Sequence, residues 1–320
     1  MTLHAVLGST GVVGRETVTA LRNAGQTVRT VSRAAADPER PGAEHRTADL
    51  REAGPAMHAV EGADVAYLTV GLPYSTRVWQ RDWPRVIRNV IDACTASGTH
   101  LVYFDNVYAY GDLHGRPMTE STPIRPSSRK GRIRAGLLQL LADAERDRGL
   151  TVTIARSADF YGPGASTSAF NMFAIDPVAR GKPPTWLFDA GQPHSMTYTP
   201  DIGAALAVLG TDDRAKGRTW HLPTAAPALT GEEYLELATG GGAGRTRTMS
   251  MAMMRIGAIF VPAARESLEL AYQYMAPYVF DSSAFERTFG LSPTPYAEGI
   301  ATTLERARHD ARLSDAASRR

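Results

Sequence analysis

The chain is short of cysteine, of long apolar runs and of any excess of one charge sign. Cys94 is the only cysteine among 320 residues, so no internal disulfide can form and a reducing cytoplasm is the expected setting. No apolar run approaches the roughly 18 residues of a membrane span, and no basic leader precedes the first apolar stretch. Lys and Arg total 35 against 33 Asp and Glu, which argues against nucleic acid and membrane as partners.

Signatures of metal and hydrolase chemistry are missing as well. The eight histidines are scattered without an H-E-x-x-H spacing, and one cysteine cannot build a thiolate cluster, so we expect no metal site. His194 and His221 are predicted to be structural. No Gly-x-Ser-x-Gly elbow supports a hydrolase.

Short apolar segments alternate with helical patterns in the first half of the chain, which predicts an α/β fold with a doubly wound parallel sheet of Rossmann type. We assign residues 1–160 to this dinucleotide-binding domain and expect segments near 193–222 and 279–310 to return to it. Residues 161–192 and 223–278 are predicted to form a smaller, mainly helical substrate-binding or lid domain. Pro262 and Pro277 should break its apolar stretch into at least two helices. The main predicted strands are Leu3–Leu7, Val28–Ser32, Val65–Val70, His100–Asn106 and Thr151–Arg156, and the main predicted helices are Val12–Asn23, Thr76–Ser97 and Gly131–Arg148.

A glycine motif, Gly8-Ser-Thr-Gly11-Val-Val-Gly14, follows the first strand and opens the first helix. Gly8 permits a tight turn, Gly11 lets the backbone approach a pyrophosphate, and Gly14 lets helix and strand pack closely. The free N–H groups and the positive dipole end of the helix then favour a phosphate. The motif predicts a bound dinucleotide, with Thr10, Val12 and Val13 among its contacts.

The end of the second strand favours NADP over NAD. An acidic residue there would hold a ribose 2′-hydroxyl, whereas Arg33 pairs with a 2′-phosphate and Ser32 can add a hydrogen bond. The alternative is that Arg33 is an ordinary solvated arginine. The other predicted cofactor contacts are Asp49 and Leu50 at the adenine, and Thr69, Val70 and Gly71 at the ribose and nicotinamide.

These features together resemble the extended short-chain dehydrogenase/reductase family, which includes nucleotide-sugar epimerases and dehydratases. The likeness covers most of the chain and depends on several motifs in order. They are the glycine motif, Asp105-Asn-Val-Tyr-Ala-Tyr-Gly111, Asp159-Phe-Tyr-Gly-Pro-Gly164, His194-Ser-Met-Thr-Tyr-Thr-Pro-Asp201 and Phe289-Gly-Leu-Ser-Pro-Thr-Pro295.

The resemblance implies a Ser/Thr–Tyr–Lys constellation, and all three residues are changed. Asn106 stands at the Ser/Thr position after the fifth strand. The following helix reads Lys130-Gly-Arg-Ile-Arg134, which places Lys130 at the tyrosine position and Arg134 at the lysine position. We predict that these three residues are catalytic, with Lys130 also contacting the cofactor.

The chemistry of these replacements differs from that of the usual constellation. Asn106 can donate a hydrogen bond to a carbonyl, Arg134 can hold ribose or phosphate oxygens, and Lys130 can donate a hydrogen bond or a proton. Two alternatives stay open. In the first, the basic residues form a solvated helix face together with Arg129 and Arg132. In the second, Tyr108 serves as the proton donor rather than as a packing or substrate residue.

Aromatic and methionine residues are dense in the predicted substrate region, as suits a large, flat, apolar ligand. The candidate substrate contacts are Tyr108, Tyr161, Phe170, Phe173, Met253 and Met254. Most such side chains singly favour a place in the core. No cluster of Arg and Lys there clearly matches a sugar-nucleotide pyrophosphate.

The sequence therefore predicts an NADPH-dependent ketoreductase that acts on a bulky aromatic or polycyclic, polyketide-like ketone, as a monomer or homodimer. Its missing triad beside an NADP site is similar to that of angucyclinone ketoreductases of antibiotic biosynthesis. The proton would come from Lys130, from water or from a substrate hydroxyl. The alternatives are a non-reductive isomerase or epimerase that uses NADP, and an inactive NADP-sensing protein.

Overall fold

The computed structural model describes residues 2–35, 44–242 and 247–318. Within these ranges most strands are short segments rich in apolar and β-branched residues, and turn residues separate them from the next element. They are β1 (Leu3–Leu7), β2 (Thr27–Ser32), β3 (Glu44–Thr47), β4 (Val65–Leu68), β5 (His100–Asp105), β6 (Val152–Arg156), β7 (Asp159–Tyr161), β8 (Trp186–Leu187), β9 (Pro193–His194), β10 (Met196–Tyr198), β11 (Thr219–His221), β12 (Leu229–Thr230) and β13 (Thr248–Met249).

The helices alternate with the strands in the first half of the chain and dominate its end. They are α1 (Val12–Asn23), α2 (Ala53–Val60), α3 (Thr76–Ser97), α4 (Arg129–Arg148), α5 (Asp176–Ala179), α6 (Thr199–Thr211), α7 (Gly231–Thr239), α8 (Met251–Phe260), α9 (Pro262–Ser267), α10 (Ser283–Phe289) and α11 (Tyr296–Ser318). Short 3-10 segments cover Tyr108–Tyr110, Asp213–Ala215 and Leu268–Tyr274, and Asn171–Ile175 forms a π turn. No described helix is long and apolar enough to cross a membrane.

Seven parallel strands form the central sheet in the order β11-β6-β5-β4-β1-β2-β3. Helices α2, α3 and α4 bury their apolar faces against one side, and α1, α6 and α10 cover the other. The predicted Rossmann-type, doubly wound α/β fold is therefore confirmed. The strand order reverses between β1 and β4, and ligands of such sheets bind in the crevice at the carboxyl ends of the strands beside this reversal.

A third core lies outside the sheet and is mostly aromatic. It joins residues of the loop after β7 to α7 and to α11, and its largest members include Tyr161, Trp186, Tyr234 and Tyr296. The segments predicted to return to the sheet are shared between the two cores, because Phe285 packs on the sheet whereas Tyr296 packs in the third core. The exact domain boundaries stay a prediction.

The prolines break the late apolar region as the sequence predicts. Helix α8 ends at Phe260, α9 begins at Pro262, and the following 3-10 segment ends before Pro277. Proline fits the first turn of a helix because its missing N–H would have no partner there. The resulting bends bring α9 and the 3-10 segment against the beginning of α4.

Candidate cofactor and active site

The glycine loop has the geometry that a phosphate needs. Gly8 adopts a φ of 96°, and a Cβ there would lie 2.8 Å from the backbone nitrogen of Val70. A Cβ on Gly14 would overlap the carbonyl oxygen of Gly8, so only glycine lets α1 begin this close to the loop. Gly11 caps α1 without a side-chain hydrogen bond, and the first turn contains no acidic residue. The backbone N–H groups of the first turn thus point toward the crevice with a positive dipole end.

Charged residues surround the predicted adenine end of the crevice. Arg33 is exposed at the end of β2, next to Ser32, whose hydroxyl donates to the carbonyl of Ala34 over 2.9 Å. Hydrogen bonds from Arg51 hold the pKa of Asp49 at about 2, and the charge of Arg33 adds to this effect. The structure thus brings the predicted residues Arg33 and Asp49 close together at one end of the crevice.

The remaining predicted cofactor contacts lie on the glycine loop, at the start of α1 and in the segments that follow β3 and β4. Leu50 is buried, whereas Thr10 is exposed on the glycine loop. Thr69 donates its hydroxyl hydrogen to the carbonyl of Leu7 over 3.0 Å, which fixes the end of β4 beside β1. Val70 is half-buried and Gly71 is exposed, so the backbone here is accessible from the crevice. Valine at position 12 is half-buried and Val13 packs beneath the loop.

Lys130 is completely buried, which a basic residue in the first turn of a helix rarely is. Its Nζ donates to Glu266 Oε2 over 2.5 Å, to Glu269 Oε1 over 3.0 Å and to Thr76 Oγ1 over 3.0 Å. It also lies 4.6 Å from the centre of the Tyr74 ring. Although desolvation acts to raise it, hydrogen bonds from Lys130 and Thr76 lower the pKa of Glu266 to about 2. Lys130 therefore joins α4 to α3, α9 and the 3-10 segment, and it is not part of a solvated basic face.

Two tyrosines and a tryptophan form an aromatic wall beside Lys130. The Trp79 ring stacks on Tyr108 with centroids 6.3 Å apart, and it meets Tyr74 edge-on at 5.6 Å. The hydroxyls of Tyr74 and Tyr108 interact with one another, and burial raises the pKa of each. Tyr108 was a predicted substrate contact and lies in this wall, where Tyr74 is its more exposed neighbour.

Arg134 lies one turn further along α4 and is engaged within the protein. Its guanidinium stacks on Trp79 and Trp83, with 4.9 and 4.4 Å to their ring centres. It donates to the hydroxyl of Tyr103 over 2.7 Å and lies 3.5 Å from Asp105. The predicted role at the cofactor ribose stays a prediction, whereas every contact of the guanidinium in the described structure is internal.

Asn106 follows β5 at the carboxyl edge of the sheet. Its Oδ1 accepts the backbone N–H of Tyr108 over 3.0 Å, in the manner of an Asx turn. This bond fixes the amide plane and leaves Nδ2 as the group that can donate to a ligand. Asn106 is half-buried, so such a donor is accessible.

The predicted substrate residues of the second half fall into two groups. Tyr161 and Phe170 are buried in the third core, where their rings meet edge-on with centroids 6.0 Å apart. These surroundings favour a packing role. Phe173 is half-buried, and Met254 is a buried residue of α8. Its neighbour in α8, Met253, is exposed. The predicted set therefore does not gather around one pocket.

A second polar cluster, absent from the predicted site, lies around Asp159. Its Oδ2 accepts the Tyr274 hydroxyl over 2.9 Å and lies 3.1 Å from His194 Nε2. The His194 ring is stacked between Tyr274 and Tyr278, with centroids 4.4 and 4.3 Å away. This arrangement gives His194 the structural surroundings that the sequence predicts.

Sequence reasoning missed Tyr74, Thr76, Glu266 and Glu269. One signal was available for Tyr74, because it lies three residues after Gly71 in the loop that follows β4. The two glutamates had no such signal, since they are more than 130 positions from Lys130 and reach it only through the fold of the late helices. Within the described ranges no group of three metal-ligating side chains is found.

The sheet order, the glycine loop and the crevice beside β1 and β4 define a Rossmann-type α/β protein of the dinucleotide-binding kind. The model of the NAD-dependent epimerase/dehydratase family matches residues 4–222. The chain belongs to this family, whose members are NAD-dependent oxidoreductases, epimerases and dehydratases. No curated protein matches the chain significantly.

Solved structures of the same fold cover nearly the whole chain. The UDP-N-acetylglucosamine 4-epimerase from Bacillus cereus is 18% identical with a TM-score of 0.75, and the match covers 98% of this chain and 97% of that one. The dTDP-glucose 4,6-dehydratase from Streptomyces venezuelae with NAD bound is 20% identical, with a TM-score of 0.77 and 98% of each chain covered. UDP-glucose 4-epimerase from Thermotoga maritima is 17% identical with a TM-score of 0.76, covering 97% of this chain and 100% of that one. At sequence identities of 17–20%, the similarity of these structures to the chain shows a shared fold and not a shared activity.

Proposed function

We propose that the protein is an NADPH-dependent ketoreductase that reduces a bulky aromatic or polycyclic ketone to an alcohol. The observation that carries this proposal is the open glycine loop, which lies at one edge of the sheet with the donor Asn106 and the aromatic wall of Tyr74, Trp79 and Tyr108. Family members and solved neighbours bind NAD, which supports a nicotinamide dinucleotide in this crevice.

The choice of NADP over NAD depends on Arg33. Its exposed guanidinium follows β2, close enough to Asp49 to contribute to that residue's low pKa. A 2′-phosphate placed here would gain a charge-assisted hydrogen bond, whereas the solved neighbours that name a cofactor contain NAD. Phosphate recognition by Arg33 is therefore what would set this chain apart from those neighbours.

The proposed substrate class follows from charge and apolar surface. Asp159, Glu266 and Glu269 lie around the aromatic wall. The two cations that contact the wall are already paired, Lys130 with the two glutamates and Arg134 with Asp105. This surplus of carboxylates disfavours a nucleotide-sugar diphosphate of the kind bound by some neighbours. The wall itself consists of aromatic rings, of which Tyr74 is 38% exposed, and such a surface suits an apolar ligand.

The chain's own residues supply binding and polarisation. The N–H groups at the start of α1 would hold the pyrophosphate, and the backbone at Val70 and Gly71 would pass beside the ribose and nicotinamide. When bound, the reduced nicotinamide supplies a hydride to the carbonyl carbon. Asn106 Nδ2 would donate a hydrogen bond to the carbonyl oxygen and stabilise the negative charge that develops on it. Lys130 holds the loop before α3 in place through Thr76.

The proposal is tested by mixing the pure protein with NADPH or NADH and a panel of ketones. Suitable members are 1-tetralone, 9-fluorenone and 1,8-dihydroxyanthraquinone, with UDP-glucose as the sugar-nucleotide comparison. We expect loss of absorbance at 340 nm with NADPH, and one deuterium in the alcohol when the cofactor is deuterated at C4. Conversion without loss of NADPH would instead support an isomerase or epimerase, and tight binding of NADPH without conversion would support a sensor.

A further inference from the structure

Tyr74 is the accessible phenol at the edge of the sheet where the ketone would react. It lies in the loop between β4 and α3, three residues beyond the backbone that we assign to the nicotinamide side of the crevice. Its side chain is 38% exposed, whereas Lys130, which stands at the family's tyrosine position, has no exposed surface. Part of Tyr74 is therefore open to a ligand, whereas Lys130 is covered by the protein.

The Tyr74 ring is held on several sides. The ammonium group of Lys130 lies 4.6 Å from the ring centre, and the Trp79 ring meets it edge-on at 5.6 Å. Its hydroxyl interacts with that of Tyr108, whose own ring stacks on Trp79. The Tyr74 ring is therefore fixed by Lys130, Trp79 and Tyr108 in the loop that follows the proposed nicotinamide contacts.

We propose that the Tyr74 hydroxyl is the proton donor of the reduction, in place of the phenol that α4 lacks. This inference rests on the proposed ketoreductase function. As the carbonyl carbon accepts hydride, the O–H bond of Tyr74 breaks and its proton passes to the carbonyl oxygen, so the ketone gains two electrons and becomes an alcohol. The phenolate regains its proton from solvent, since Tyr74 is partly exposed.

The charges around Tyr74 favour the reductive direction. Burial raises its pKa, and the carboxylates of Asp159 and Glu269 raise it further, while Tyr108 lowers it and the ammonium of Lys130 faces the ring. The phenol is protonated at neutral pH, as an ordinary phenol also is, while its raised pKa makes the proton harder to release than from a tyrosine in water. Oxidation of the alcohol requires the phenolate, so its rate should rise with pH well into the alkaline range.

The test compares wild-type protein with Tyr74→Phe, which keeps the ring contacts and hence the fold. Tyr198→Phe, in the third core, is the control tyrosine. We expect Tyr74→Phe to slow single-turnover reduction of 1-tetralone by about 100-fold or more without changing the NADPH dissociation constant. The control should keep the wild-type rate.

A second measurement requires no turnover. Calorimetry of the complex with NADP⁺ compares 1-tetralone with tetralin, which lacks the carbonyl. We expect Tyr74→Phe to weaken ketone binding by about 2- to 10-fold, the value of one hydrogen bond, and to leave tetralin binding unchanged.

The outcomes separate the two proposals. If the wild type reduces ketones and Tyr74→Phe does so at the same rate, the role of Tyr74 is refuted while the proposed function stands. If no ketone is reduced, but Tyr74→Phe weakens binding of 1-tetralone and not of tetralin, the proposed function fails. The hydrogen bond from Tyr74 to the carbonyl is then supported, without a role in reduction. A wild-type complex that binds no ketone of the panel overturns both.

Discussion

At the scale of single residues, Arg33 carries the choice between the two nicotinamide cofactors. We expect Arg33→Glu to raise the NADPH dissociation constant by about 10- to 100-fold, because a charge-assisted hydrogen bond to phosphate is lost and a repulsion replaces it. The NADH dissociation constant should stay within about threefold of wild type, since it has no 2′-phosphate. Fluorescence titration of the reduced cofactors measures both.

Lys216→Glu is the matched charge reversal for this experiment. Lys216 precedes Gly217, whose backbone N–H bonds to the first residue of β6, so it lies at the opposite edge of the sheet from Arg33. An equal loss of NADPH affinity in both variants would mean that only net charge matters. An unchanged NADPH affinity in Arg33→Glu would leave Arg33 as a solvated surface residue.

Arg134 is predicted to contact the cofactor, but its observed contacts are those of a structural residue. We expect Arg134→Met to lower the free energy of unfolding by about 2–4 kcal/mol, since the nearby Asp105 stays buried with only Arg156 as its cation. Arg132→Met, an exposed position on the same helix, should change it by less than about 0.5 kcal/mol. Urea unfolding measures both variants. A loss of cofactor affinity without loss of stability would instead support the predicted contact with the ribose.

At the scale of elements, α4 is positioned by one glycine in its first turn. A Cβ on Gly131 would overlap the carbonyl oxygen of Tyr108, whereas a Cβ on Gly136, five positions later, would meet nothing. We expect Gly131→Ala to destabilise the fold by about 1–3 kcal/mol through this overlap. Gly136→Ala should stabilise it by about 0.5–1 kcal/mol, because alanine favours a helix interior.

Urea unfolding of the two alanine variants checks this difference in sign. Equal stabilities would contradict the close approach of α4 to the segment Tyr108–Tyr110. Since Lys130 immediately precedes Gly131, the same overlap should also move the ammonium group from the Tyr74 ring, and cofactor-dependent activity provides a second readout.

The regular elements were predictable from sequence, and their long-range contacts were not. Helices α1 and α3 have the predicted bounds, because their apolar spacing and the glycine after α3 are local signals. The placement of Lys130 at the family's tyrosine position stays a prediction, which rests on the neighbouring Gly131. The burial of Lys130 was not readable, because it depends on Glu266 and Glu269, which reach α4 only after the chain bends between α8 and α9 at Pro262. Charged side chains normally indicate solvent, and here tertiary pairing overrides that rule.

At the scale of the whole molecule, the Lys130 cluster connects the late helices to the Rossmann sheet. Glu266 is on α9 and Glu269 on the segment after it, while Lys130 and Thr76 belong to helices that pack on the sheet. Glu266 also accepts the backbone N–H of Thr76 over 2.8 Å, so its carboxylate caps the start of α3. The bridge therefore fixes α9 and the following 3-10 segment against the starts of α3 and α4.

This bridge gives the stability a dependence on acid pH that Glu266→Gln should remove. The hydrogen bonds from Lys130 and Thr76, which outweigh desolvation, lower the folded pKa of Glu266 to about 2 from an ordinary value of 4.5. A lowered carboxyl pKa contributes stability that is complete above 4.5 and disappears as the pH falls toward 2. We expect the gap in unfolding free energy between wild type and Glu266→Gln to be largest at pH 6–7, to shrink steadily below about pH 4.5 and to be smaller but still present at pH 3. Glu305→Gln, on the exposed side of α11, serves as the control and should show no such trend. Urea unfolding between pH 7 and pH 3 measures all three proteins. If the difference between wild type and Glu266→Gln did not change with pH, the contacts with Lys130 and Thr76 would not lower the pKa of Glu266.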